Sequence, residues 1–286
     1  MRKVLTVLAL ILTGAFLFAA WQGVSFIYSP ASSTEEDVVF NIRPGSSFSS
    51  VTTQLVNKGL IKDKLLFKLY GRLRGAADQI KVGEFALKTT NTPAEILDTL
   101  IAGESIRYTL TVQEGLNMYE NASLFEQGGF GSSQEFLRLC KDPNFIKELL
   151  GQRLTSLEGY LFPETYHLTK FTGAKKLIRV MVKNFLKAFA RSSKGAKVSL
   201  PRHKAIILAS IIEKETGAPH ERSLIASVFH NRIKKGMRLQ SDPTILYGIL
   251  DITGEMKKNI TKKDITKPTR FNTYTVKALP FGPISN

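Results

Sequence analysis

A carboxylic acid at the end of an almost unbroken apolar run is the residue of this chain best suited to acid–base chemistry. Residues 205–212 read Ala-Ile-Ile-Leu-Ala-Ser-Ile-Ile, with Ser210 as the one polar side chain, and Glu213 follows. A helix apolar on all sides is normally buried, so the pattern places Glu213 on a core helix in a partly desolvated setting. Desolvation penalises the charged carboxylate and raises its pKa, which suits a general acid near neutral pH. Glu215 lies about 200° further around the helix and does not share that face. The plainer reading is a pair of exposed glutamates in a last helical turn.

A second group of residues has the chemistry of sugar recognition. The stretch Leu157-Glu158-Gly159-Tyr160-Leu161-Phe162-Pro163-Glu164-Thr165-Tyr166 combines carboxylates with aromatic rings. Tyr160, Phe162 and Tyr166 offer flat faces, two of them with a polar tip. Glu158 and Glu164 can accept hydrogen bonds from hydroxyls or orient another polar group. A buried turn with core aromatics is the alternative, more natural for Leu161 and Phe162 than for Glu158. Further on, Asn231 and Arg232 follow His230 and are placed to line a cleft or cap carbonyls. Gln240 is a better partner for a substrate hydroxyl than Asp242, which precedes Pro243 and suits a helix cap. His230 reads as a satisfied structural histidine on an apolar side.

These residues need elements to hold them. Gly159 and Pro163 argue for loop or extended chain over the Leu157–Tyr166 stretch. The spacing predicts a helix over Glu221–Lys235, with Leu224, Ile225, Val228 and Phe229 as its core stripe. Pro243 opens another helix. Upstream, Ile106–Val112 alternates as a strand closed by Glu114-Gly115, and Ser133–Leu139 and Asn144–Leu150 read as helices. Residues 38–105 form a small α+β pattern of their own. Val38–Ile42 and Val82–Leu87 are strands, a helix is capped by Ser47 or Ser49 and ended by Gly59, Lys64–Leu73 is a helix, and Thr92 opens another.

The chain has 286 residues, room for one large or two smaller domains, and a net charge of +16. Such an excess favours anionic partners: nucleic acid, lipid headgroups or an acidic wall polymer. No zinc-finger or recognition-helix signature accompanies it, which argues against nucleic acid. The four histidines form no HExxH pair and Cys140 is the sole cysteine, so neither a metal site nor an internal disulfide is indicated. Cys140 reads as a small buried hydrophobe. Arg2 and Lys3 precede an apolar run from Val4 to Ala20, continued by Trp21, Val24, Phe26, Ile27 and Tyr28. That length suits a membrane helix of about 20 apolar residues better than the roughly 7–15-residue core of a cleaved signal peptide. The basic flank predicts a cytoplasmic N-terminus, with the rest of the chain exported. Residues 29–37, rich in serine and acid, read as a flexible linker.

Taken in order, Ala209–Thr216, Val228-Phe229-His230-Asn231-Arg232, Gly236–Thr244, Tyr247-Gly248, Phe271-Asn272-Thr273-Tyr274 and Leu279–Ile284, with Leu157–Tyr166 upstream, resemble the endolytic murein transglycosylases, the YceG-like or MltG family. The resemblance spans roughly residues 38–286. With the anchor (1–28) and linker (29–37) read above, it implies an α+β protein with a LysM-like module (38–105) that touches glycan strands and a catalytic domain (106–286). It implies cleavage between N-acetylmuramic acid and N-acetylglucosamine with a 1,6-anhydro product, in nascent strands whose length is thereby limited. No cofactor is needed, and a wall-synthesis complex is the implied partner. Glu213 matches the catalytic acid, while Glu158, Tyr160, Tyr166, Asn231, Gln240, Asp242, Asn272 and Tyr274 would position the sugar. Two other classes compete: a noncatalytic glycan-binding scaffold, and a hydrolytic muramidase with Glu158 or Asp242 as the second carboxylate. The sequence stops inside what looks like a family motif, and Pro280-Phe281-Gly282 departs from a pattern that often has a second proline. Missing C-terminal packing would be expected to reduce stability or open the cleft, and neither feature touches Glu213.

Overall fold

In the computed structural model, which describes residues 2–195 and 200–286, an N-terminal helix α1 (Arg2–Tyr28) is long and apolar enough to cross a membrane. Its apolar side chains between Val4 and Val24 stand exposed, while Phe26 and Ile27 pack on the core that follows. Met1, the tip of the expected anchor, lies outside the described residues.

The chain divides into two units. The first runs to Tyr108 and includes the short stretch Thr169–Phe171. After α1 it holds β1 (Asp37–Ile42), α2 (Phe48–Asn57), α3 (Lys64–Leu73), β2 (Gly83–Lys88) and α4 (Pro93–Ala102). The two strands are antiparallel with Phe40 opposite Phe85 and Val38 opposite Leu87. Period-2 alternation turns Phe40, Ile42, Phe85 and Leu87 inward, where Leu55, Phe67, Leu97 and Leu100 complete the core. The starts of α2, α3 and α4 each have a side-chain cap. Ser47 accepts from Ser50 N, Asp63 accepts from Leu65 N and Leu66 N, and Thr92 with Glu95 forms a capping box. The segment before β1 is not a free tether. Thr89 Oγ1 receives Glu36 N and donates to Thr34 O, Ser32 N donates to Thr89 O, and Glu35 pairs with Lys88. Polar residues with little to bury are thus fixed by hydrogen bonds to the sheet's end.

The second unit comprises Thr109–Leu168 and Thr172–Asn286. Its elements are β3 (Tyr108–Thr111), α5 (Met118–Gln127), α6 (Ser133–Cys140), α7 (Pro143–Leu150), β4 (Thr165–Leu168), α8 (Gly173–Ser193), α9 (Arg202–Glu215), α10 (Arg222–Lys234), α11 (Asp242–Thr253) and α12 (Lys262–Thr266). β3 and β4 form a second two-stranded sheet, so the protein is a helix-rich α+β chain. Cys140 is buried on α6. One core gathers Ile207, Leu208 and Ile211 of α9 with Phe229 of α10, Tyr247 and Leu250 of α11, Phe271 and Ile284.

Three expected details differ. α9 is not buried all round: Ala209 is exposed, and Ala205 and Ile212 are half-buried. The α10 stripe narrows to Phe229, which is buried, and Ile225, which packs half-buried on the same core; Leu224 and Val228 are exposed, and His230 faces outward too. The cap of α11 is Ser241, with Asp242 already the first helical residue beside Pro243.

Candidate functional site

Glu213 sits in the last turn of α9 with about a fifth of its side chain exposed. Helical spacing puts Ala205, Ala209 and Glu213 along one face, and that face forms a wall of a cavity of about 340 Å³. Leu161, Phe162 and Pro163 from the chain before β4, and Phe185 and Phe189 from α8, line much of the remainder, with Ser210, Ser285 and Asn286 as its other polar residues. Among the described residues Glu213 is the one carboxylate on its lining. The loop reaches the cavity because Gly159 has a φ of +79°, and an added Cβ would lie 2.6 Å from Pro283 Cβ and 2.8 Å from Ile206 Cγ2. Backbone geometry and space both demand glycine there.

Burial pushes the Glu213 carboxyl up from its ordinary pKa, opposed by the adjacent Arg222 guanidinium and aided by Glu114. Arg222, at the start of α10, places Nη2 3.0 Å from Glu213 Oε2. Glu114 lies 3.6 Å from the same nitrogen. Lys214 Nζ donates to Gly115 O at 3.1 Å, tying the β3–α5 loop to the end of α9.

A second cluster is built on the other side of that helix end. Ser241 Oγ donates to Glu215 Oε1 at 2.5 Å. Ser241 N donates to Thr273 Oγ1, Gln240 N to Thr273 O, and the Thr244 and Thr273 hydroxyls meet at 2.9 Å. Arg232 holds Leu239 O. These bonds present Gln240 at a φ of +54°, exposed and in a backbone region uncommon for a non-glycine residue. Tyr274 Oη donates to Asp242 Oδ1 at 2.7 Å, which pushes the phenol up to about 12. Gln240, Asp242 and Tyr274 are therefore brought together. Asn231 is exposed near the end of α10.

The other expected sugar contacts lie beneath the surface. Glu158 is 2% exposed, and its carboxylate receives Met118 N, Gly159 N and Tyr247 Oη, the last at 2.7 Å. Desolvation outweighs these donors and pushes its pKa up to about 7. Tyr160 is fully buried, its hydroxyl 2.9 Å from His203 Nδ1. Tyr166 is buried and donates to Phe162 O. Asn272 is fully buried; Nδ2 donates to the carbonyls of Asp264, Ile265 and Lys267, and Oδ1 receives Tyr274 N. The polar atoms of these four side chains have partners inside the fold.

Arg222, Glu114, Ser241 and Thr273 were not foreseen as site residues. Arg222 stands nine positions after Glu213 on a different helix, a separation that carries no periodic signal. Thr273 lies within the Phe271–Tyr274 motif, but a threonine there does not announce which backbone it holds.

The YceG-like family model matches residues 40–286. The chain is 31% identical to the endolytic murein transglycosylase of Bacillus subtilis (strain 168), over 97% of this chain and 79% of that protein. It is 29% identical to the endolytic murein transglycosylase of Streptococcus pneumoniae serotype 2 (strain D39 / NCTC 7466), over 99% of this chain and 56% of that protein, so it spans little more than half of that relative. A crystal structure of a putative YceG-like protein from Listeria monocytogenes aligns with a TM-score of 0.53 at 31% identity, covering 88% of this chain and 86% of that one.

Proposed function

The chain belongs to the YceG-like family, and from that premise we propose that it is a lytic transglycosylase that cuts the bond between N-acetylmuramic acid and N-acetylglucosamine inside peptidoglycan strands. The observation that carries this reading is Glu213: among the described residues the one carboxylate side chain on the wall of a mostly apolar cavity, with its protonated form favoured by burial.

The chemistry follows from one carboxyl used twice. Protonated Glu213 donates to the glycosidic oxygen as the bond from the muramic C1 breaks, which neutralises the departing alkoxide. Positive charge develops at C1. The C6 hydroxyl of the same sugar attacks C1, and its proton passes to the Glu213 carboxylate. A 1,6-anhydro end forms, the acid is regenerated and no water is consumed. A hydrolase would need a second carboxylate about 5–10 Å away to activate water. Glu158 is poorly suited to that part, because its oxygens are occupied by buried donors.

Gln240, Asp242, Tyr274 and Asn231 are assigned to sugar contact, supported by the exposure of Asn231, Gln240 and Asp242 and by the hydrogen bond from Tyr274 to Asp242. Glu158, Tyr160, Tyr166 and Asn272 are assigned to holding the walls. We read residues 38–105 as a LysM-like glycan-binding module, supported by the order β1-α2-α3-β2 with its antiparallel pair, and 106–286 as the catalytic domain. α1 would anchor the chain once in the inner membrane, N-terminus in the cytoplasm, supported by its length and apolarity. Cutting nascent strands beside a synthase complex would then limit their length.

The test incubates the protein with uncrosslinked glycan strands and identifies new ends by mass spectrometry, with Glu213→Gln in parallel. Internal cuts with 1,6-anhydro ends, lost in the variant, are expected. New reducing ends would mean water as the nucleophile, and a folded protein that binds strands without cutting them would mean a scaffold.

A further inference from the structure

Glu213 is not a free acid in this structure. Arg222 Nη2 stands 3.0 Å from Oε2 and 3.3 Å from Oε1 of Glu213. A guanidinium shared by both oxygens favours the ionised carboxylate, which is the form left after a proton has been given away. A general acid must begin each turnover carrying that proton. Proton and guanidinium compete for the same two oxygens, so protonation of Glu213 weakens its hold on Arg222 and favours a second carboxylate.

Glu114 is placed for that part. Its Oε2 is 3.6 Å from the same Nη2, so a second carboxylate stands within reach of that guanidinium. The position of Glu114 is set by α9 itself. Lys214 holds Gly115 O, and Gly115, at a φ of +76°, brings the loop so near that an added Cβ would lie 3.8 Å from Glu213 Cγ. Arg222 Nε is buried without a hydrogen-bond partner among the described residues, so nothing pins that edge of the guanidinium. The charged groups facing Glu213 are Arg222 from α10, Glu114 from the β3–α5 loop and Lys214 from its own helix.

We propose that Arg222 is a positioning residue held in turn by Glu213 and Glu114: it orients the Glu213 carboxylate while that group is ionised, and passes to Glu114 when Glu213 takes up its proton. This rests on Glu213 being the acid of the proposed reaction. Arg222 leaves before each proton donation and returns to aim the carboxylate at the C6 hydroxyl.

The experiment titrates the Glu213 Cδ signal by NMR in full-length, 13C-glutamate-labelled protein in detergent micelles, with the signal identified by its loss in Glu213→Gln. The pH profile of kcat/KM on uncrosslinked glycan strands is recorded beside it. Arg222→Gln is expected to raise the Glu213 midpoint by about one pH unit. Glu114→Gln is expected to lower it, because Arg222 then stays on Glu213. Arg222→Lys should fall between wild type and Arg222→Gln. The basic limb of kcat/KM should move with each midpoint, and adding Glu114→Gln to Arg222→Gln should shift it little further. The proposal is overturned if Glu114→Gln leaves the midpoint unchanged, or shifts it equally with and without Arg222, which is simple repulsion. If Arg222→Gln does not fold, Arg222→Lys with and without Glu114→Gln makes the same comparison. Retained activity in Glu213→Gln would remove Glu213 as the acid, while the midpoints would still decide whether Arg222 changes hands.

Discussion

Glu158 and Asn272 show how a polar side chain can serve a site from below it. The Glu158 carboxyl titrates near 4.5 when unfolded and near 7 in the fold, because desolvation outweighs its three donors. Between those values the folded chain holds more protons than the unfolded one, so stability falls as pH rises through that window and this group adds no slope outside it. The full drop is about 3 kcal/mol at about 1.4 kcal/mol per pKa unit. Glu158→Gln cannot ionise, so thermal unfolding followed from pH 4 to 8 should show wild type losing stability relative to the variant. Parallel curves would contradict the buried, protonatable carboxyl. Asn272 donates one Nδ2 to three carbonyls. Asn272→Asp, almost the same size, should cost about 3 kcal/mol or more, exceeding Asn272→Ala in urea unfolding, since a carboxylate repels what the amide held. Both residues were legible as important but not as buried. Residue type records what a side chain can bond, whereas burial depends on distant partners such as Met118 and Tyr247. Glu213 was readable further, because the apolar run before it is local.

Elements were legible where their signals are local. Ser47, Thr92 and Lys64–Leu73 follow from caps and spacing within a few residues, and the structure places α2, α4 and α3 there. α5 and α8 are absent from the sequence expectations, although Asn117 with Glu120 makes a capping box and Leu177, Ile178, Met181 and Val182 form a buried face. The α10 stripe holds at Ile225 and Phe229 but not at Leu224 and Val228, because helical periodicity tells which residues share a face, not whether another element covers it. Gly248 gives a test at this scale. It lies inside α11, where alanine is ordinarily better by about 1 kcal/mol. Here an added Cβ would lie 2.1 Å from Thr269 Oγ1 and 3.0 Å from Thr269 Cβ. The segment bearing Thr269, Phe271 and Asn272 rests directly on the helix, so Gly248→Ala should destabilise by about 2 kcal/mol despite its propensity, as overpacking does. Gly248→Ala combined with Thr269→Ser should recover part of that loss in thermal melts, because the removed methyl lets the hydroxyl swing away. Equal or greater stability of the single variant would mean that the contact yields freely.

Two physical features of the whole molecule bear on where it resides, and they act over different ranges. The net charge of +16 attracts anionic surfaces, and that attraction is screened beyond about 3 Å in 1 M salt. α1 presents exposed apolar side chains along most of its length, and the burial of such a surface in lipid is insensitive to screening. The two attachments therefore respond oppositely to salt. Vesicles of zwitterionic lipid should retain the full chain through a 1 M sodium chloride wash and an alkaline wash. Anionic vesicles should add only a salt-labile increment from the remainder of the chain. Replacing Leu8, Leu12 and Phe16 together by lysine should abolish retention on zwitterionic vesicles, since each charge placed near the helix centre costs about 2.5–3.5 kcal/mol on insertion, while leaving the salt-labile binding to anionic vesicles intact or stronger. Release of the wild-type chain by salt alone would instead assign its attachment to charge and leave α1 without a membrane role.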